Sequence, residues 1–195
     1  MRTGITLYFT RHGETDWNKA LRYQGQHDVP LNETGRNQAR RNAAALAALV
    51  AEPARLDYVA SPLGRTRETM EIVREALGLP RAGYRTDDRL LELNYGVWQG
   101  QLAADLPQTD PAGVAWRSRD PAHWRAAGGE SYVELTARVI EWLASIDRDT
   151  VIAAHAGIGR VIEGHVRGLE AARVPSLAVP HDRLMVVCHD RVEWV

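Results

Sequence analysis

The chain has 195 residues, a hydrophobic content of 45%, a charged content of 25% and a formal net charge of −1 at pH 7. This length predicts one domain, residues 1–195, with enough chain to bury a full core. The near-zero charge gives no basic surface for nucleic acid or for an anionic membrane. No apolar run approaches the ~18 residues of a membrane span, so we expect a cytoplasmic protein.

The first half of the chain alternates between predicted strands and helices. Ile5–Phe9 is apolar and partly β-branched, which is typical of a buried strand. Asn32 can cap a helix through about Val50, whose apolar residues recur at helical spacing. Leu56–Ala60 is predicted to be the second strand. Ser61 then stands before a proline, and this pair predicts the N-cap and first residue of another helix.

The second half contains the segment that interrupts this alternation. Prolines and tryptophans replace a regular pattern over about residues 97–130, and we predict a small irregular cap insertion there. The other predicted elements are a helix from Ser131 to about Ile146, a strand at Thr150–Ala154, a helix at Gly157–Val166 and a hairpin of Leu184–Cys188 and Val192–Val195. This order predicts an α/β fold, a three-layer α/β/α sandwich with a mostly parallel central sheet. A homodimer through the C-terminal edge strand is left open.

The segment Arg11-His12-Gly13-Glu14 directly follows the first predicted strand. Ligands of open α/β sheets bind at the carboxyl ends of the strands. The guanidinium of an arginine matches a phosphate, and a neutral imidazole is a nucleophile. The pair therefore predicts that His12 attacks phosphorus while Arg11 holds the phosphoryl oxygens. To stay neutral, the far nitrogen of His12 should donate to a backbone carbonyl, and we expect that of Gly13.

Six segments of the chain occur in the order and spacing of a known family. They are Arg11–Asn18, Gly25–Leu31, Ser61–Thr66, Leu91–Gly100, Gly128–Ser131 and Ala154–Arg160. Together they resemble the histidine phosphatase superfamily, also called the phosphoglycerate mutase-like family. The short chain and the Gly128–Ser131 segment are similar to the smaller phosphatase branch. The resemblance implies a phosphoric monoester hydrolase that forms a phosphohistidine intermediate.

The resemblance also assigns roles to residues outside the first segment. Arg65 joins Arg11 as a phosphate-binding arginine, and His155 is expected to be a third donor in its protonated form. Glu92 is expected to protonate the departing alkoxide and then to accept a proton from the attacking water. Further expected substrate-binding positions are Asn18, Gln24, Gly25, Tyr95, Ala156 and Gly157.

No metal and no other cofactor is expected, because the remaining histidines lack ligand spacing. Among these, His27 and His181 fit either the pocket mouth or the surface. The expected partner is a small phosphorylated metabolite. Two departures from the family pattern concern Ala156, where a glycine is common, and Gly64, which is a poor helix former by roughly 1 kcal/mol relative to alanine.

Two alternatives remain open. A cofactor-dependent phosphoglycerate mutase needs extra cationic side chains over the pocket, and Gln99–Ala115 contains no lysine or arginine. Arg117, Arg119 and Arg125 follow that stretch and would have to supply the charge. The second alternative is a non-catalytic protein that binds a phosphorylated ligand, although all the expected catalytic residues are present.

Overall fold

The computed structural model describes residues 4–195, and these form a six-stranded mixed sheet with the strand order β3-β2-β4-β1-β5-β6. The strands are β1 (Thr6–Arg11), β2 (Asp57–Ala60), β3 (Arg85–Thr86), β4 (Thr150–Ala154), β5 (Leu184–Cys188) and β6 (Arg191–Trp194). The first four pair in parallel, while β5 and β6 are antiparallel. The predicted C-terminal hairpin is thus confirmed.

Seven α-helices connect the strands within the described residues. They are α1 (Asp16–Lys19), α2 (Glu33–Leu49), α3 (Gly64–Ala76), α4 (Leu106–Thr109), α5 (Pro111–Arg119), α6 (Tyr132–Ser145) and α7 (Ala156–Val166). Short 3-10 turns occupy Pro53–Arg55, Asp88–Leu90, Gly96–Trp98 and Ala171–Ser176. In the same part of the chain, no helix is long and apolar enough to cross a membrane.

The helices form one layer on each face of the sheet. Because successive strand residues point to opposite faces, Leu7 and Phe9 pack with residues of α6 and α7, whereas Tyr8 packs with α2 and α3. Both layers bury aliphatic side chains against the strands. The predicted three-layer α/β/α sandwich is confirmed.

The parallel register brings three strand ends together at one edge. Arg11 pairs with Ala154, and Ala60 pairs with Ala153. The chain continues from these ends into His12, whose N–H donates to the Ala154 carbonyl at 2.9 Å, and into Ser61, whose N–H donates to Ala153 at 3.0 Å. Three polar residues, His12, Ser61 and His155, therefore follow neighbouring strands directly.

The start of α3 differs from its prediction. Ser61 does not cap this helix: the helix begins at Gly64, and the Gly64 N–H donates to the Asp28 carboxylate at 2.9 Å. A Cβ at Gly64 would lie 2.9 Å from the nearer Asp28 oxygen, so glycine allows the carboxylate to approach. The carboxylate replaces the N-cap side chain and leaves Ser61 free for the site.

Residues 96–130 hold two short helices, α4 and α5, and otherwise irregular backbone. Trp98 and Trp124 are buried and lie 4.3 Å apart between ring centroids. Asp110 accepts from the Trp98 indole at 2.8 Å and from the Gly113 N–H at 2.9 Å, which joins the first turn of α5 to this aromatic pair. Aromatic packing, side-chain hydrogen bonds and backbone hydrogen bonds between residues 21–23 and 100–103 hold the segment together. That this segment forms a cap insertion on a single domain stays a prediction.

Candidate active site

His12 is buried at the end of β1 in the form that a nucleophile requires. Its side chain bonds through Nδ1 to the Gly13 carbonyl at 2.8 Å. Because a carbonyl only accepts, Nδ1 carries the proton and the lone pair of the neutral ring lies on Nε2. Burial holds the pKa of His12 well below 6.5, and the charge of Arg65 lowers it further. The expected bond to Gly13 is confirmed.

Two guanidiniums lie beside this histidine, that of Arg65 fully buried and that of Arg11 partly buried. Arg65 donates to the carbonyls of His27 at 2.6 Å and Gly25 at 2.7 Å, and Arg11 donates to Val179 at 2.7 Å. Burial lowers the pKa of each arginine to about 10, so both stay charged at neutral pH.

Neither of these arginines has a carboxylate within 4.0 Å among residues 4–195. The Nε atoms of Arg11 and Arg65 are buried without a hydrogen-bond partner. Leaving a buried charge uncompensated is costly. The pair is therefore suited to an anionic ligand such as a phosphate.

His155 follows β4 and differs from its expected form. Its Nδ1 lies 3.3 Å from the Arg65 guanidinium, and its Nε2 lies 2.8 Å from the Ser61 hydroxyl. A guanidinium only donates, so Nδ1 accepts and the ring is neutral with its proton on Nε2. Burial and the charge of Arg65 hold the pKa of His155 well below 6.5. The expectation of a protonated His155 is wrong for this state of the site.

Glu92 lies at the N-terminus of α7, next to the ends of the strands that His12 and His155 follow. It is 8% exposed, and its Oε1 accepts from the Leu93 N–H at 2.8 Å and the Gly157 N–H at 3.1 Å. A helix N-terminus favours a carboxylate because its N–H groups are unpaired. A Cβ at Gly157 would lie 2.4 Å from Oε1, so only glycine leaves room for this contact.

The Gly128–Ser131 segment fixes the loop that carries Glu92. Arg138 donates to the carbonyls of Arg89 at 2.6 Å and Glu92 at 3.3 Å, and it pairs with Glu130 at 2.7 Å. The Glu130 N–H also donates to the Asn94 carbonyl at 2.8 Å. These contacts anchor the loop on both sides of Glu92, which explains a motif that sequence reasoning used only as a family marker.

The expected substrate-binding residues divide into two groups. Asn18 and Tyr95 line a cavity of about 410 Å³ that opens over Arg11. Asn18 also closes the capping box of α1 with Thr15, using its backbone N–H and its carboxamide oxygen. The other expected residues, Gln24, Gly25, Ala156 and Gly157, are buried and do not line this cavity.

Two side chains in this cavity were missing from the expected site. His181, which the sequence left between pocket and surface, donates from Nδ1 to the His12 carbonyl at 2.7 Å. Burial lowers the pKa of His181 to about 4. Arg160 lines the same cavity and donates to the Leu177 carbonyl at 2.8 Å and the Tyr132 hydroxyl at 3.0 Å. The sequence signal that could have identified Arg160 is its position early in the helix that follows His155.

Comparisons with known proteins bear on this site. The sequence model of the histidine phosphatase superfamily (branch 1) matches residues 7–195. A glucosyl-3-phosphoglycerate phosphatase from Mycobacterium tuberculosis is 36% identical over 185 residues, which cover 88% of this chain and 79% of that protein. A probable phosphoglycerate mutase GpmB from Serratia proteamaculans is 34% identical over 200 residues, which cover 98% of this chain and 88% of that protein.

The fold comparison agrees with the sequence comparison. The solved structure of a mycobacterial glucosyl-3-phosphoglycerate phosphatase in complex with VO3 has a TM-score of 0.78 and 32% identity, covering 98% of this chain and 97% of that one. The chain belongs to branch 1 of the histidine phosphatase superfamily, and its enzyme class is that of the phosphoric monoester hydrolases.

Proposed function

We propose that this protein hydrolyses small phosphate monoesters through a phosphohistidine intermediate on His12, without a metal ion. The observation that carries the proposal is a neutral imidazole with its Nε2 lone pair available, beside two guanidiniums that have no carboxylate within 4.0 Å among residues 4–195. A nucleophile next to two guanidiniums that form no direct ion pair suits an electrophilic phosphoryl group that brings negative charge with it.

The first chemical step transfers the phosphoryl group to the enzyme. Arg11 and Arg65 hold the equatorial oxygens, where charge is spread in the transition state. The Nε2 lone pair of His12 forms the N–P bond as the P–O bond to the alcohol breaks. Glu92 enters this step in its protonated form and gives that proton to the leaving oxygen, so the alcohol departs neutral and the carboxylate that forms is stabilised by the Gly157 N–H.

The second step returns the enzyme to its starting state. A water molecule attacks the phosphorus, the P–N bond breaks, and the electron pair returns to Nε2. The carboxylate of Glu92 accepts the proton of this water. His155 assists through its bonds to Arg65 and Ser61, which hold the guanidinium that binds the phosphate.

The substrate is proposed to be a small phosphorylated metabolite. Support comes from the relatives, among which a Mycobacterium tuberculosis protein is named a glucosyl-3-phosphoglycerate phosphatase. The cavity of about 410 Å³ over Arg11 has the size of a small-molecule site.

A phosphoglycerate mutase is the second candidate, favoured by the name of the Serratia proteamaculans relative and by Arg117, which lines the cavity. The two other late arginines do not line the cavity: Arg119 is exposed, and Arg125 pairs with Glu134 at 3.0 Å. A phosphatase needs no cation beyond those that bind one phosphate, so it remains the simpler proposal.

Hydrolysis of para-nitrophenyl phosphate with a chelator present throughout tests the proposal. Wild type should turn over, and His12→Ala should not. Loss of wild-type activity in the chelator would remove the metal-free mechanism. Vanadate binding without hydrolysis of any ester would favour a binding protein, and interconversion of phosphoglycerates would favour the mutase.

A further inference from the structure

His181 combines an anchored ring with an unused nitrogen. It lies in the loop before β5 and lines the cavity of about 410 Å³ over Arg11. Its Nδ1 donates to the His12 carbonyl at 2.7 Å, so this nitrogen is turned towards the backbone. Its Nε2 has no hydrogen-bond partner among residues 4–195 and is not sealed in the interior. Nε2 is therefore the nitrogen that this ring offers to a ligand in the cavity.

A second contact fixes the backbone of His181. The carboxamide of Asn42, which is buried on α2, donates to the His181 carbonyl at 3.0 Å and to the Thr10 hydroxyl on β1 at 2.9 Å. One side chain thus ties this loop to the strand that His12 follows. Because ring and backbone are both held, the direction of Nε2 is set before a substrate binds, which reduces the entropy lost on binding.

The Nε2 atom of His181 carries a lone pair. Since Nδ1 has the proton that bonds to the His12 carbonyl, the other nitrogen of the neutral ring can only accept. Burial and the charge of Arg11 lower the pKa of His181, while the bond to His12 and the charge of Asp182 act in the opposite direction. The resulting pKa of about 4 leaves the ring neutral at pH 7. This nitrogen therefore needs a hydrogen-bond donor from the ligand.

The other polar side chains around the cavity are mainly donors. Four arginines line it, and a guanidinium can donate but not accept. The carboxamide oxygen of Asn18 is used in the capping box of α1, and the Tyr23 hydroxyl accepts from Arg117. Among the described residues that line this cavity, His181 is the only imidazole. It is thus an acceptor in a wall of donors.

The chemistry of the matching ligand group follows from these neighbours. A phosphoryl or carboxylate oxygen has no proton to donate, and its lone pairs would face the lone pair of Nε2. An ammonium group could donate, but the charges of the arginines would repel it. A hydroxyl donates one hydrogen bond and can accept others from a guanidinium. A hydroxyl is therefore the group that suits both His181 and the arginines.

We propose that His181 is a specificity-determining residue whose Nε2 accepts a hydrogen bond from a hydroxyl group of the leaving alcohol. The inference rests on the proposed phosphatase function and adds a polar requirement on its substrate. The centroids of the His181 and His12 rings are 5.6 Å apart, so the hydroxyl stands close to the ester oxygen, on the second or third carbon. An ester without this hydroxyl would displace water from Nε2 and leave the acceptor unpaired.

Three esters with the same carbon chain test the proposal. Propyl phosphate has no hydroxyl, 1,2-propanediol 1-phosphate has one on the second carbon, and 1,3-propanediol monophosphate has one on the third. Wild type should show a kcat/KM about 10-fold higher for one of the hydroxylated esters than for propyl phosphate, as expected for one buried hydrogen bond. The ester that is preferred identifies the carbon.

Two variants separate the two nitrogens of the His181 ring. An asparagine amide lies near the position of Nδ1, whereas a glutamine amide reaches that of Nε2. His181→Asn should therefore abolish the preference for the hydroxylated ester, and His181→Gln should retain most of it. If His181 only supported the backbone, His181→Gln would be the more damaging variant, because it lacks the donor to the His12 carbonyl. His165→Asn is the matched control: this histidine is exposed, does not line the cavity, and its variant should keep the wild-type preference.

Two results would overturn the inference. One is equal kcat/KM values of wild type for all three esters. The other is a loss in His181→Asn that affects all three alike; weaker inhibition by inorganic phosphate in this variant would then assign His181 to the phosphate. Calorimetry with the same esters keeps the test separate from catalysis. A wild type that binds a hydroxylated ester more tightly than propyl phosphate but hydrolyses none of them would contradict the phosphatase and support the hydroxyl site.

Discussion

The ends of β1 and β4 are adjacent, and each delivers a histidine to the same edge of the sheet, yet the two histidines differ in what their nitrogens do. His12 uses only Nδ1, in its bond to Gly13. His155 uses both nitrogens, in bonds to Arg65 and Ser61. Because only the ring of His12 keeps an available lone pair, we propose that His12 is the nucleophile and that His155 is a positioning residue.

The surroundings produce this difference from similar local sequences. After β1 the next residues form a loop, so the Gly13 carbonyl is available to the ring of His12. After β4 the chain enters α7 at once, and His155 is its N-cap residue. The ring of His155 is then held by Ser61, which follows β2, and by Arg65 on α3. Backbone geometry after the strand therefore decides which histidine keeps a free nitrogen.

The largest expected effect is that of replacing His12, the first of the two compared histidines. His12→Asn removes the lone pair that attacks phosphorus, and kcat for para-nitrophenyl phosphate should fall by at least ~10⁴-fold, as for the loss of a nucleophile. His165→Asn, at an exposed position of α7, is the control and should keep wild-type kinetics. Substantial activity in His12→Asn would mean that the other histidine can replace it.

The next effect concerns the acid shared by both steps. Glu92→Gln should lower kcat by about 10²- to 10⁴-fold for an alkyl phosphate, since that is the usual contribution of general acid catalysis. Para-nitrophenyl phosphate should lose less, because its leaving group departs without a proton. Glu141→Gln is the exposed control. An equal loss for both esters would assign Glu92 a structural role.

A smaller effect is expected from replacing Ser61, which follows β2 and bonds to His155. Ser61→Ala removes the acceptor of the buried His155 Nε2–H, and a buried unsatisfied donor costs about 1–3 kcal/mol of unfolding free energy. Urea unfolding measures this loss. The kcat should fall by only about 10-fold, since His155 acts through Arg65 and transfers no phosphoryl group. Ser118→Ala, whose exposed hydroxyl bonds to the Val114 carbonyl, is the matched control for stability.

The smallest effect concerns His181, which supports the backbone of His12. Its folded pKa is about 4, lowered by burial, against 6.5 for an exposed histidine. The unfolded chain binds a proton below pH 6.5 while the folded protein does not, so this contribution to stability is complete above pH 6.5 and is lost as pH falls towards 4. The slope is on the order of 1 kcal/mol per pH unit. Between pH 7 and 5, the free energy of urea unfolding should depend less steeply on pH in His181→Asn than in wild type. An unchanged pH dependence would contradict a neutral His181 in the folded protein.

The strand ends were predictable from sequence because each combines an apolar run with a polar residue at a fixed place. His12, Arg11 and His155 were found in this way, and the bond from His12 to Gly13 followed from the need for a neutral ring. Ser61 was misjudged, because its usual role as an N-cap was taken by Asp28, which is distant in sequence.

The positions of side chains in residues 96–130 and in the cavity wall were harder to predict from the sequence. Arg117 reaches the cavity through contacts with Tyr23 and Trp98, and no periodic pattern records such contacts. His181 lies in a loop whose path depends on the packing around it. The protonation state of His155 depends on two partners from other elements. Tertiary contacts of this kind decide specificity and pKa, whereas local sequence decides which residues stand at a strand end.

The most direct test is to trap the intermediate during turnover of para-nitrophenyl phosphate and to locate it by mass spectrometry at neutral pH. The wild-type protein should gain the mass of one phosphoryl group, and peptide mapping should place it on His12. His155→Gln should still form this intermediate, while His12→Asn should form none. A phosphoryl group on His155, or steady turnover by His12→Asn without one, would contradict the account.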